Sequence, residues 1–157
     1  MKSRLFRAAF VLLLLGSAPW LHAQRERLTP DEIAYVDKTW PGTKKTSTGL
    51  RYLILKPGDG AMPKAGQRVS VIYTGTLLDG GKEFDRNMDP SRPMVFRVGR
   101  FEVIEGWDQI IRMMKLNERR LVIVPAALAY GSRGRAPVIP RDATLVFDMQ
   151  LIAISSD

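Results

Sequence analysis

Cysteine is absent from the 157 residues, and histidine occurs once, at His22. Without cysteine there is no thiol nucleophile, no thiolate metal ligand and no disulfide to staple the fold. With its one histidine inside an apolar N-terminal stretch, the rest of the chain has no imidazole for a serine–histidine relay or a histidine-based zinc site. Phosphate loops are missing too. Gly58 and Gly60 make a G-x-G, but no third glycine follows at the required spacing and no helical pattern starts there, so the segment reads as a turn. The carboxylate pairs Asp85/Asp89 and Glu102/Glu105 lack the ligand density of a calcium loop. No metal and no cofactor is expected. Any catalysis must come from the shape and dryness of a pocket.

The N-terminus reads as a secretion leader. Lys2, Arg4 and Arg7 form a basic start, Ala8 to Leu15 is an unbroken apolar run, and a small, polar stretch ends at Ala23. A membrane anchor needs about 18–20 apolar residues, and Pro19 interrupts earlier. Residues 1–23 are therefore expected to be removed, giving an exported, periplasmic or secreted protein that meets the membrane only during export. They carry three of the 24 basic residues and none of the 16 acidic ones, so the remainder has a net charge of +5. That charge suits ordinary solubility, and no nucleic-acid-binding motif accompanies it.

Residues 24–48 are read as an extension and linker. Thr29-Pro30-Asp31-Glu32 is a helix start, with Thr29 as N-cap, Pro30 in the first turn and Glu32 closing a capping box. Ile33, Tyr35, Val36 and Trp40 would give this helix an apolar side, Pro41-Gly42 stops it, and Thr43 to Thr48 reads as a flexible linker. Whether the extension docks on the domain or on a partner is open at this level.

About 110 residues follow, enough for one domain, residues 49–157. Strands are expected over 50–55, 69–77, 94–98, 121–124 and 145–154, with turns at P-G-D-G (57–60) and D-G-G-K (79–82). In the last strand Leu145, Phe147, Met149 and Leu151 alternate with Val146, Asp148 and Gln150. Trp107, Ile110, Ile111 and Met114 fall on one face at helical period. The fold class is α+β: a bent antiparallel sheet around one short helix.

Tyr73, Phe84, Phe96, Trp107, Tyr130 and Phe147 sit at element ends or beside turns, and Tyr130 lies in a loop rich in glycine and proline. Aromatics on loops of a rigid sheet serve recognition more often than packing. The motifs P-G-D-G (57–60), G-Q-R-V (66–69), Y-T-G (73–75), E-F-D (83–85), V-I-E-G-W (103–107), A-Y-G (129–131), I-P (139–140) and A-T-L-V-F-D (143–148) stand in one order across the domain. In this the chain from Gly49 onward resembles the FKBP-type peptidyl-prolyl cis–trans isomerases, the macrolide-binding immunophilins.

The resemblance implies a pocket between sheet and helix. It implies Trp107 as the floor, Tyr73, Phe84 and Phe147 as aromatic walls, Val103, Ile104 and Ile139 on the rim and side, and Phe96 as a further substrate-binding residue. It implies Asp85 as the acidic pocket residue, Tyr130 as a hydroxyl donor to a substrate carbonyl and Ile104 as a backbone N–H donor. Met94 stands where the family usually has an aromatic, a softer wall. The basic residue that often pairs with the pocket acid falls at Pro90, leaving Asp85 to borrow Arg86 or Arg92 or to go unpaired. Arg133, Arg135 and Arg141 put positive charge on the loop after Tyr130. The implied partners are proline-containing unfolded or partly folded proteins, and macrolide inhibitors; the implied state is a monomer. A second reading, a chaperone or binding module with little isomerase activity on the same fold, remains alongside.

A reaction that uses neither metal nor imidazole has a signature. Isomerisation of a Leu-Pro or Phe-Pro peptide is expected to be undiminished in EDTA and flat from about pH 6 to 8, where only a histidine-like group would titrate. A bell-shaped profile across that window in a protease-coupled assay would show a proton-transferring residue.

Overall fold

The computed structural model describes residues 27–156. The leader expectation, and the first residues of the extension, lie outside that range. In chain order the elements are helix α1 (Pro30–Thr39), strands β1 (Lys44–Lys45), β2 (Arg51–Lys56), β3 (Arg68–Leu77), β4 (Glu83–Asn87) and β5 (Met94–Arg97), helix α2 (Glu105–Ile111), and strands β6 (Arg119–Val124) and β7 (Leu145–Ser155). Two single 3-10 turns, Ala126–Leu128 and Gly131–Arg133, lie in the long connection from β6 to β7.

The seven strands form one antiparallel sheet in the order β1-β2-β6-β7-β3-β4, with β5 also paired to β3. β3 and β7 are the spine. Their register runs from Arg68↔Ser155 to Leu77↔Leu145, with a bulge between Ser70 and Val71. β3 has enough length to pair twice on its other side, with β5 over 68–71 and with β4 over 73–76.

Alternation decides what each face holds. Val69, Val71, Tyr73 and Leu77 of β3, Val122 and Val124 of β6, and Leu145, Phe147, Met149 and Leu151 of β7 meet Trp107, Ile110 and Ile111 from α2, and Met114 just beyond its end, in the main core. The opposite face of β6 and β7 is not bare. Leu121, Ile123 and Val146 are covered by Leu28 and Val36, with Leu78, and with Ile33, Trp40 and Leu53 at the margin. The extension therefore docks on the domain. α1 starts on the expected capping box: the Thr29 hydroxyl accepts from the Glu32 N–H at 3.2 Å, and a Glu32 carboxylate oxygen accepts from the Thr29 N–H at 2.8 Å. Asp37 adds an ion pair to Arg51 on β2 at 2.7 Å. Of the four apolar residues expected to face inward, Tyr35 stays exposed.

Two local expectations are corrected. Thr43 to Thr48 is no flexible linker: Lys44 and Lys45 pair with Tyr52 and Arg51, and the Thr48 hydroxyl reaches Gln109 on α2 at 2.6 Å. Residues 83–87 form β4, a strand the sequence pattern did not announce.

α2 approaches the sheet at Gly106. A Cβ there would lie 2.5 Å from Val124 Cγ1 and 3.2 Å from Leu50 Cδ2. Alanine is the better helix former by about 1 kcal/mol, yet overpacking a core costs about 1–3 kcal/mol. Gly106→Ala is therefore expected to lower the unfolding free energy by up to about 2 kcal/mol in urea melts. Pairing it with Val124→Ala in a double-mutant cycle should show a favourable coupling, and purely additive losses would place the clash elsewhere.

Candidate functional site

The cavity opens where α2, the upper halves of β3 and β7, and the edge strand β4 converge. Trp107 is at its base, nearly fully buried, with ring contacts on two sides. Tyr73 meets it edge to face at 4.7 Å and 88°, and Phe147 at 5.2 Å and 81°. Phe84 stands against Phe147 at 5.8 Å and 90°. Such perpendicular pairs match the positive edge of one ring to the negative face of the next. The Trp107 indole N–H is buried without an acceptor among the described residues.

A bulge brings Phe84 and Asp85 to the same cavity. Successive residues of a regular strand point to opposite faces. On β4, however, Gly75 pairs with Asp85 and Thr76 with Glu83, leaving Phe84 as the extra residue. The irregularity re-aims side chains as bulges do, and both residues line the site. Gly75 makes room for this: a Cβ there would meet Phe84 Cζ at 2.8 Å and Phe147 Cε1 at 2.9 Å.

Asp85 borrows neither neighbouring arginine. Its Oδ2 accepts from the Tyr73 hydroxyl at 2.7 Å and its Oδ1 from the Arg86 backbone N–H at 2.9 Å. The Arg86 guanidinium sits 3.8 Å from Glu83, and Arg92 pairs with Asp89. Burial, and after it the hydrogen bond to Asp85, push the Tyr73 phenol well above its ordinary value.

The far rim is the segment between β5 and α2. Glu102 accepts from the Arg97 N–H at 2.9 Å, and buried Asp108 accepts from the Gly99 N–H at 2.6 Å. These two bonds tie the segment down at both ends and leave Val103 and Ile104 facing the cavity. Ile104 is the N-cap of α2, and its carbonyl accepts from the Trp107 and Asp108 N–H groups. Its own N–H is one of those that a helix start leaves without an intrahelical acceptor. On the opposite side, half-buried Tyr130 and exposed Arg135 close the mouth, with Arg135 Nη1 3.5 Å from the Tyr130 hydroxyl.

Of the residues singled out from sequence, Tyr73, Phe84, Asp85, Met94, Val103, Ile104, Trp107, Tyr130 and Phe147 line this one cavity. Phe96 and Ile139 do not. Phe96 pairs with Val69 from the short strand β5 and packs behind Trp107 at 6.0 Å, in the core. Ile139 is buried beneath the loop, where its backbone braces Arg135. Two lining residues were missed as such, Glu102 and Arg135. Both were visible as charges beside recognised motifs, but only the fold shows that they face inward.

The cavity holds about 210 Å³. That is below the roughly 300–1,000 Å³ of sites for drug-sized ligands, and it suits one side chain or ring. Its lining has no serine, threonine, lysine, cysteine or histidine, and no cluster of acidic or histidine ligands able to hold a metal occurs among the described residues. What it offers is aromatic surface, one carboxylate held by a phenol, one hydroxyl at the mouth and one helix-start N–H.

Comparison with known proteins places these features in a family. Residues 60–152 match the family model described as FKBP-type peptidyl-prolyl cis-trans isomerase. The chain is 44% identical over 107 residues to the peptidyl-prolyl cis-trans isomerase Fkbp12 of Drosophila melanogaster, covering 68% of this chain and 98% of that one. It is 44% identical over 113 residues to the FKBP-type peptidyl-prolyl cis-trans isomerase FkpA of Aeromonas hydrophila, covering 72% of this chain but only 41% of that longer relative. Among solved structures, a peptidyl-prolyl cis-trans isomerase of Pseudomonas syringae superposes with a TM-score of 0.69 at 34% identity, over 80% of this chain and 92% of the other.

The Tyr73–Asp85 pair has a pH signature. Folding favours the protonated phenol, so its contribution is complete below about pH 10 and is lost as the pH climbs through the raised folded value. In urea melts the stability margin of the parent protein over Tyr73→Phe is expected to hold from pH 8 to about 10 and to shrink above it. A margin that stays constant to pH 11 would mean that the phenol is not held by burial and Asp85.

Proposed function

The chain belongs to the FKBP-type peptidyl-prolyl cis–trans isomerases, and from that premise we propose that it speeds X–Pro rotation by seating the prolyl ring on Trp107 inside the aromatic cavity. The observation that carries this reading is a ring-sized, aromatic-walled cavity whose lining has no serine, threonine, cysteine, lysine or histidine.

Rotation about the bond has an intrinsic barrier of about 18–20 kcal/mol and takes on the order of 10–100 s uncatalysed. The barrier is amide resonance, which puts partial negative charge on oxygen and draws on the nitrogen lone pair. A twisted amide loses that charge separation. Moving the bond from water into an aromatic cavity therefore penalises the planar state more than the twisted one, which is differential binding of the transition state. A thousandfold acceleration needs only about 4 kcal/mol.

Each lining group has a part in holding that geometry. Trp107 is the floor, and Tyr73, Phe84 and Phe147 are the walls that exclude water from the ring. The Tyr130 hydroxyl donates to one substrate carbonyl and the Ile104 N–H to another, fixing the chain on both sides of the bond. Asp85 orients the Tyr73 hydroxyl and presents its remaining lone pairs to the cavity. Met94 supplies a flexible apolar wall that accepts differently shaped residues beside the proline. A macrolide inhibitor would compete by placing an apolar ring in the same cavity.

The proposed setting is export. The basic start and apolar run of residues 1–23 support a leader, residues 24–48 the docked extension and 49–157 the catalytic unit. The substrates are then unfolded exported chains with exposed X–Pro bonds, met by a monomer.

Tyr130→Phe removes one neutral hydrogen bond worth about 0.5–1.5 kcal/mol. Peptide isomerisation is expected to fall roughly threefold to tenfold, and loss by many orders of magnitude would make Tyr130 an acid. Asp85→Ala and Phe84→Ala should reduce kcat/KM more than they reduce stability. A collapse in Tm with unchanged activity per folded molecule would turn both into packing residues.

A further inference from the structure

Arg135 is the one cation among the described residues that line the cavity, and both carboxylates there already have donors. Asp85 is engaged by Tyr73 and the Arg86 N–H, and Glu102 by Arg97, through the backbone N–H at 2.9 Å and the guanidinium at 3.9 Å. Among the described residues Arg135 has no carboxylate within ion-pair distance; its polar contact is the Tyr130 hydroxyl at 3.5 Å, with the guanidinium carbon 5.9 Å from that ring. A guanidinium remains charged at any pH the protein meets.

The backbone under Arg135 is fixed. Its N–H donates to the Ile139 carbonyl at 2.8 Å, and the Ile139 N–H donates back to the Arg135 carbonyl at 2.9 Å. Ile139 is anchored in the core at 2% exposure. The residue before Arg135, Gly134, has φ 64° and ψ −165°, a region open essentially to glycine alone. A Cβ at that position would lie 2.6 Å from the Ile139 carbonyl oxygen. The loop thus spends a buried anchor, a paired bridge and a special glycine on presenting one exposed cation beside Tyr130. A merely solvating arginine needs none of these.

We infer that Arg135 is a specificity-determining residue that selects an acidic side chain, aspartate or glutamate, next to the substrate proline. The inference rests on the proposed seating of the prolyl ring in this cavity. With the ring on Trp107 and a neighbouring carbonyl on Tyr130, the side chain adjoining the proline emerges at the mouth, within reach of the Arg135 guanidinium. A carboxylate there completes the fork of donors that the protein itself leaves open. The other exposed arginines of this loop, Arg133 and Arg141, do not line the cavity and reinforce the sign of the field without contacting the substrate.

Matched peptides carrying Glu, Gln or Lys immediately before the proline, and a second set immediately after it, test this in the protease-coupled assay at low salt. At one of the two positions kcat/KM for Glu should exceed that for Lys about threefold to fivefold, the size an exposed ion pair supports. The ratio should approach one in Arg135→Gln and in about 0.5 M salt, where screening is strong, invert in Arg135→Glu, and largely survive in Arg135→Lys. Isomerisation of all peptides with no Glu/Lys difference, a preference for Lys set by Asp85 and Glu102, or a Glu preference that Arg135→Gln leaves intact each overturns the assignment. Failure to isomerise even the Gln peptides overturns the isomerase reading of the cavity, and this inference with it.

Discussion

The approach of α2 to the sheet at Gly106 is the constraint on which the site depends. With no Cβ at that position the helix start lies against Val124 and Leu50, and the next residue, Trp107, drops into the concave face between β3 and β7. Every aromatic contact of the cavity is referred to that indole: Tyr73 and Phe147 directly, Phe84 through Phe147, and Phe96 from behind. A shallower helix would leave Trp107 above the sheet and open the cavity floor to water. Packing at a glycine thus fixes the dryness on which the chemistry relies.

The cavity walls come from unlike sources, with unlike freedom. Tyr73 and Phe147 stand on the two longest strands, in the most heavily paired part of the sheet. Phe84 and Asp85 stand on an exposed edge strand and share a face only because of the bulge opposite Gly75 and Thr76. Val103 and Ile104 are on a loop secured by two carboxylates. Tyr130 and Arg135 ride on the connection from β6 to β7, which has no strand of its own but is pinned through Ile139. Binding surface is thereby graded from rigid floor to adjustable mouth.

Much of this was legible in the sequence because it is local. The capping box at Thr29, the alternation of β7 and the helical spacing from Trp107 to Ile111 each express one period or one cap, and the structure reproduces all three, with α2 ending one turn before Met114. β4 was not legible, since its E-F-D-R-N is mostly polar and it sits exposed at a sheet edge. β1 is two lysines whose pairing depends on where β2 passes. Phe96 and Ile139 carry the right residue types beside the right motifs, but alternation and loop anchoring turn them into the core. The partner of Asp85 is a hydroxyl 12 residues earlier on another strand, a relation that only strand register creates. Glu102 and Arg135 belong to the same class: their charge is written in the sequence, their direction is not.

The helix on the back of the sheet carries a consequence for solubility. Leu121, Ile123 and Val146 lie side by side on the two central strands, with Leu78 next to them, and Val36 and Leu28 keep them from water. Stripped of α1, that face would be a flat, contiguous apolar patch on a β-sheet, the kind of surface that recruits a second copy. On the function proposed above, the protein works among unfolded chains ready to settle on such a surface. By folding its own N-terminal segment over this face, the domain takes a contiguous apolar patch out of competition with the aromatic cavity for a passing chain.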